Sequence, residues 1–470
     1  MDQTPPALPA IKPELLAPGG NLDKCRIAFL YGADAVYAAG KDFGLRGFAH
    51  NLDGEELAEA VFYAHRHGRK IYIAVNVFAR QADLKKMPAY LEYLDDLGVD
   101  ALIISDPGVL LLARRHAPRI PIHLSTQANT TNSSSILFWR DQGVRRVNLA
   151  RELGFHEIAE ITDIAVREQV EIEVFVHGAM CMSYSGRCLM SAFLNKRGAN
   201  SGFCTQPCRW SYNLVEEKRP GEFFPVIEDS RGAYIFNSKD LCLIEHIGEL
   251  RDLGIRSFKI EGRMKGALYL ASVTRAYRQA IDRCAQGAGA SPRWPDRGCK
   301  PLPLAGTGHE TGTGYAMGTG HEAGTGCEAG TGHEAGPSWT EDLLRVSHRP
   351  YTKGFLFEDA AAPESTIETD VSYIQTHTLA GIVRAFPDES ASGRAYLEVR
   401  SPLERGQVLE FLFPDGASRF HVLDNMEDTG GNRLSQTHPN RWIRFTTEFP
   451  VFPFQVVRTL NGQNRRAGNS

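Results

Sequence analysis

The chain has 470 residues, a net charge of −4, 42% hydrophobic and 23% charged residues. That balance excludes a disordered chain and any bulk attraction for polyanions, and it leaves material for two or three domains. There is no apolar run long enough to span a bilayer, and the opening MDQTPPALPAIKPE has no basic-then-apolar signal pattern, so the expectation is a soluble, cytoplasmic protein with no membrane partner.

After a tail at 1–13, short β-rich runs alternate with amphipathic helical stretches. The expected strands are Glu14–Pro18, Ala35–Gly40, Ile71–Phe78, Ala101–Asp106, Ile122–Asn129, Arg146–Glu152, Glu171–His177 and Ser257–Glu261. Helical patterns fall at Glu55–His67, Met87–Leu97, Pro107–Arg115, Ser133–Gln142 and Tyr269–Arg283. Eight strands alternating with helices over 14–290 predict an α/β fold, a (β/α)8 TIM-like barrel. A doubly wound sheet is the weaker alternative, because no G-x-G-x-x-G follows the first strand.

Barrel chemistry sits at the C-terminal ends of the strands. Asn76, Asp106, Gln127, Asn129, Arg151, Glu152, His177, Lys259, Glu261 and Arg263 all fall near those ends and are candidates for a polar mouth. Helix capping and structural ion pairs are the competing explanation for each of them.

Between strands seven and eight the connection, about 178–254, is far longer than an ordinary βα unit. Of nine cysteines in the chain, five crowd it: Cys181, Cys188, Cys204, Cys208 and Cys242. In a reducing compartment clustered thiols point to metal or redox chemistry before disulfides. Zinc sites favour two short C-x2–4-C pairs, whereas here only Cys204 and Cys208 are close, so a four-thiolate iron–sulfur site fits at least as well. Spacing alone leaves iron–sulfur, zinc and plain buried or redox thiols open. Gly186, Gly198 and Gly202 would let backbone approach a cluster, and Arg187, Arg197 and Arg209 would offset its charge.

Residues 291–340 form a flexible Gly-rich linker containing five hexapeptides of the GTGHEA type at 306–335. So little apolar content cannot bury a core, and metal binding by its histidines is the lesser reading. Short runs separated by turn residues over 341–462 predict a small antiparallel β-barrel, followed by a tail at 463–470.

The segments ELLAPGGNLDKCRIAFLYGADAVYAAG, HGAMCMSYSGRCLMSAFLNKRGANSGFCTQPCRW, NSKDLC and SFKIEGRMK resemble the collagenase-like peptidase family U32 over most of 14–285. Within that family the chain is most similar to the branch that hydroxylates the wobble uridine of tRNA. The resemblance implies 5-hydroxyuridine formation, a tRNA anticodon loop as partner, and prephenate as hydroxyl donor. It also implies a 4Fe–4S cluster on Cys181, Cys188, Cys204 and Cys242, with Cys208 as alternative ligand, loaded by iron–sulfur assembly machinery. On this reading Arg151, Lys259 and Arg263 are candidates to hold the donor's carboxylates, and His177 and Glu261 to move protons. The runner-up is a U32-type peptidase, although no H-E-x-x-H or G-x-S-x-G is present. Hydroxylation of an rRNA cytidine or a quinone, and a cluster-carrying RNA-binding factor without turnover, are further alternatives.

Overall fold

The computed structural model describes residues 12–41, 43, 51–77, 79–180, 239–286, 339–357, 374–385 and 394–461, with the backbone of four two-residue strands between 214 and 233. Cys181, Cys188, Cys204, Cys208 and the GTGHEA tract lie outside the described residues.

Seven strands follow in order: β1 Glu14–Pro18, β2 Ala35–Ala38, β3 Lys70–Ala74, β4 Ala101–Ile104, β5 Ile122–Leu124, β6 Val144–Asn148 and β7 Glu171–Ala179. An antiparallel strand, β8 (Asp240–Cys242), precedes β9 (Ser257–Ile260). β9 pairs in parallel with both β1 and β7, so β1–β7 and β9 close an eight-stranded parallel barrel. The predicted (β/α)8 barrel is therefore present, with its long excursion between the seventh and eighth barrel strands.

Helices α1 Leu22–Leu30, α2 Gly54–Arg66, α3 Gln81–Leu97, α4 Pro107–His116, α5 Ser133–Asp141 and α6 Phe155–Arg167 wrap the outside. Side-chain caps start several of them. Asn21, Asp106 and Asn132 each accept backbone N–H bonds from the first turn, and Asp53 forms a capping box with Glu56. Asp106, one candidate for the mouth, is thus committed as a helix cap.

The alternation of the strands divides their side chains. Leu15, Ala17, Val36, Ile71, Ile73, Leu102 and Ile104 face the helices, while Leu16, Tyr37, Tyr72, Ala74 and Ile103 form a separate cluster inside the barrel. The same parity sends His123, Arg146, Asn148, Glu173, Ser257 and Lys259 inward from β5, β6, β7 and β9. The interior is thus apolar on one side and polar on the other. Arg146 ties the polar side together, bonding Glu14 at 2.6 Å and Glu171 at 2.7 Å, while Tyr72 donates to Glu14 at 2.7 Å.

The run Lys239–Leu253 reads as helical in sequence, but its first part is β8, and only Ile247–Asp252 forms a helix, α7. The closing helix α8 (Ala267–Ala285) has fourteen of its nineteen residues buried, because the barrel lies on one side and the C-terminal sheet on the other. After α9 (Trp339–Arg345), β10 (Tyr351–Thr352) adds to the edge of β8. The C-terminal sheet comprises β11 His377–Val383, β12 Arg394–Val399, β13 Val408–Leu412, β14 Ser418–Val422, β15 Glu427–Asp428, β16 Trp442–Thr446 and β17 Val456–Leu460. Its order is β14-β13-β17-β11-β12-β16-β15, all antiparallel, curled into half a barrel around Leu397, Leu409, Phe411, Ile443 and Val457. Among the described residues no pairing joins β14 to β15, so the small barrel expected at 341–462 stays open on that side.

Arg275 of α8, fully buried, pins the sheet to the barrel. It bonds Asp342 and donates to the carbonyls of Phe413 (3.1 Å) and Ala417 (2.9 Å), and Asp342 also pairs with Arg458 at 3.0 Å. Among the described residues no helix is long and apolar enough to cross a membrane.

Candidate functional site

β7 is the longest barrel strand because its two halves have different partners. Its first residues pair with β6 and β9, and its last three pair antiparallel with β8, setting His177 opposite Cys242 and Ala179 opposite Asp240. Within the second half Gly178, opposite Leu241, has φ +113°, and a Cβ there would lie 2.6 Å from the carbonyl oxygen of Glu261. Glycine is therefore required where β7 passes the end of β9. The Glu261 N–H donates to the His177 carbonyl at 2.8 Å, which fixes the two candidate proton-transfer residues side by side on adjacent strands.

The His177 side chain is only 1% exposed and sits among three tyrosine rings, Tyr269, Tyr277 and Tyr351, at centroid distances of 5.8, 5.4 and 5.4 Å. The Tyr277 hydroxyl donates to the Val176 carbonyl at 2.7 Å, so towards His177 Nδ1, 3.3 Å away, it acts as acceptor. This network assigns the proton to Nδ1 and leaves Nε2 as a bare lone pair, buried and without a partner among the described residues. Burial pulls the His177 pKa down to about 3, against the opposing pull of Asp240, with Lys265 and His348 pushing the same way as burial. The imidazole is neutral across the physiological range. Its Nε2 lone pair can accept a hydrogen bond.

Cys242, at the end of β8, is buried with its sulfur 3.7 Å from the Tyr277 hydroxyl, and burial pushes its thiol up to about 11. β8 itself is held by Asp240, whose carboxylate takes the Arg349 guanidinium at 2.7 and 3.1 Å and the Arg349 N–H at 3.1 Å. Burial works against the Asp240 charge, but Arg349, Lys265 and the Arg349 hydrogen bonds outweigh it and hold the carboxyl below its ordinary range. The same segment stacks His348 on Tyr351 at 4.4 Å and 8°. Residues beyond the Gly-rich tract thus complete the surroundings of His177.

The three proposed carboxylate binders are placed differently. Arg151 lies over the Phe175 ring at 3.9 Å and donates through one terminal nitrogen to the Ala179 carbonyl at 2.6 Å, while its buried Nε–H has no partner among the described residues. Arg263, 5% exposed, donates to Asn51 at 3.2 Å, and its carbonyl receives Lys24 at 3.3 Å. Lys259 points into the barrel interior and is paired with Glu173 at 2.8 Å. Burial would raise the Glu173 pKa, but Lys259 and Arg146, with hydrogen bonds from Lys259 and Ser257, bring it below the ordinary value.

His177, Glu261 and Cys242 are therefore brought together, Arg151 reaches the end of β7 beside them, and Arg263 follows Glu261 beyond the end of β9. Sequence reading missed Tyr269, Tyr277, Tyr351, Asp240 and Arg349. The tyrosines of α8 share its i, i+8 face, but nothing linear links them to a segment near 350. Among the described residues no group of three or more His, Cys, Asp or Glu could hold a metal ion. Cys242 is a soft donor at the foot of the cysteine-bearing segment, which suits a thiolate-ligated cluster, and the remaining candidate ligands lie outside the described residues.

A family model described as peptidase family U32 matches residues 20–323, and one described as the peptidase family U32 C-terminal domain matches 375–458. The chain is 36% identical to tRNA hydroxylation protein P of Escherichia coli, over 97% of this chain and 98% of that one. It is 33% identical to tRNA hydroxylation protein P1 of Bacillus subtilis, over 95% and 94%. Against the Escherichia coli 23S rRNA 5-hydroxycytidine synthase the identity is 38%, covering 57% of this chain and 39% of that one.

Proposed function

The chain belongs to peptidase family U32, and from that premise we propose that it is an RNA-modifying hydroxylase that converts a tRNA wobble uridine to 5-hydroxyuridine. The observation that carries the reading is the end-to-end similarity to tRNA hydroxylation protein P, which spans both the barrel and the C-terminal sheet. The similarity to an rRNA hydroxycytidine synthase supports pyrimidine hydroxylation as the shared chemistry.

An anticodon loop offers an unstacked base, which a barrel mouth can receive without opening a duplex. The proposed hydroxyl donor is prephenate, a small dicarboxylate. The unpartnered Nε–H of Arg151 supports a role in binding one carboxylate, and Arg263, beyond the end of β9, is the candidate for the other. The bare Nε2 of His177 serves as a hydrogen-bond acceptor that orients a bound hydroxyl, while Glu261 stands on the next strand to exchange a proton. Lys259, already neutralised by Glu173, holds the polar wall of the barrel in place rather than meeting the donor. A 4Fe–4S cluster held by Cys181, Cys188, Cys204 and Cys242, with Cys208 as alternative, would supply one-electron chemistry beside this mouth.

The test compares tRNA nucleosides, by mass spectrometry, from cells with and without the protein. Loss of 5-hydroxyuridine and its derivatives in the deletion, restored by the intact protein and not by Cys242→Ser, is the expected result. An unchanged nucleoside profile overturns the proposal.

A further inference from the structure

The polar side of the barrel interior contains a belt that the mechanism above does not use. Asn148 ends β6, and its side-chain N–H donates to Glu173 at 2.9 Å. Because Glu173 is held ionised and can only accept, the Asn148 amide is fixed with its nitrogen toward Glu173 and its carbonyl oxygen turned away. That oxygen has no partner among the described residues, and the residue is only 2% exposed, which shuts out bulk water. The β5–β6 register places Ser125 next to Asn148, since His123 pairs with Arg146 and Leu124 with Val147. Asn76, just beyond β3, donates weakly to the Ser125 hydroxyl at 3.5 Å, and its carbonyl oxygen is likewise buried and without a partner. Two amide carbonyls near Ser125, that of Asn148 fixed by Glu173, thus face the inside of the barrel with no donor among the described residues.

The rest of the interior wall is apolar and partly aromatic, formed by Leu16, Tyr37, Tyr72, Ala74 and Ile103. A wall of that kind accepts an apolar face, and the belt accepts hydrogen-bond donors. A neutral planar ring with donors on its edge matches both. A uridine within an RNA strand has two donors, the ring N3–H and the ribose 2′-hydroxyl. Buried acceptors left unpaired cost free energy, so a ligand that supplies both donors recovers it.

We infer that Asn148 and Asn76 are specificity-determining residues that accept the N3–H and the 2′-hydroxyl of the target uridine inside the barrel mouth. This inference rests on the RNA-hydroxylase reading and adds the residues that recognise the nucleoside.

The test uses the intact protein and anticodon stem–loops carrying uridine, 3-methyluridine or 2′-deoxyuridine at the target position, measuring both affinity and product formation. Each modification should weaken the wild-type response about 10-fold, as expected for one lost hydrogen bond to a buried acceptor. In Asn148→Leu and Asn76→Leu, uridine itself weakens by a similar factor, and each variant becomes indifferent to one of the two modifications. Wild-type protein indifferent to both changes, or variants that keep the full wild-type discrimination, overturns the inference. Should Asn148→Leu fail to fold, the wild-type comparison and the half-buried Asn76 variant still decide it. Absence of hydroxylated product from every loop refutes the functional reading alone, and the affinities then decide the inference.

Discussion

Replacing Arg275 with Met keeps most of the side-chain volume and deletes the guanidinium that joins α8 to the C-terminal sheet. The wild-type group is fully buried, bonds Asp342, and supplies the donors for the carbonyls of Phe413 and Ala417. Asp342 keeps Arg458 at 3.0 Å, so its charge stays partly compensated, but two buried carbonyls lose their donors. Each such loss costs about 1–3 kcal/mol. Breaking a buried ion pair from one side costs about 3–5 kcal/mol, and Arg458 offsets part of that, so the low ends of these ranges sum to about 4 kcal/mol. For a domain of this size the first thermal transition should fall by about 8–16 °C. Arg345→Met is the control. Its side chain is 25% exposed and its contacts to Glu341 and Glu410 are 3.3 and 3.4 Å, so the expected cost is below about 1 kcal/mol. Differential scanning calorimetry of the two variants beside the wild type measures the difference. Equal shifts, or an Arg275→Met melting point within 2 °C of wild type, would refute the buried-network argument.

Two further outcomes follow from local geometry. Gly178→Ala places a Cβ 2.6 Å from the Glu261 carbonyl at φ +113°, so it should cost about 1–3 kcal/mol, whereas Gly266→Ala, with open space around its Cβ, should be nearly silent in the same melt. His377 has its pKa lowered to about 4, first by burial and then by Arg458, against Glu410. Between about pH 6.5 and 4 the unfolded chain takes up a proton that the folded one refuses, so stability falls as pH drops through that window. His377→Gln should flatten that part of the stability–pH profile, and a profile identical to wild type would contradict the assignment.

The barrel was legible because most strands are short apolar runs followed by amphipathic helices, several of them capped, and Glu14–Pro18 was placed to the residue. Several strands were read too long. Ile71–Phe78 stops at Ala74, since apolar Val75 and Val77 continue past the last ladder pair into the mouth loop. β8 was hidden because Lys239–Leu253 has helical spacing, and Asp240–Cys242 becomes a strand only through the exposed edge of β7 and the pairing with Arg349 more than a hundred residues later. His177, Glu261, Arg151 and Arg263 could be named as polar residues at strand ends. Lys259 looked the same in sequence, yet its parity on β9 turns it inward to Glu173. Asn148 escaped notice for the converse reason. It is an ordinary-looking asparagine whose position opposite Glu173 depends on the β6–β7 register.

The most direct test of the account is reconstitution with anaerobically purified protein, assayed for bound iron and sulfide and then incubated with unmodified tRNA and prephenate. The account predicts about four irons with matching sulfide per chain and 5-hydroxyuridine at the wobble position. Stoichiometric zinc without iron, together with unmodified tRNA, would contradict it and return peptidase chemistry to the front.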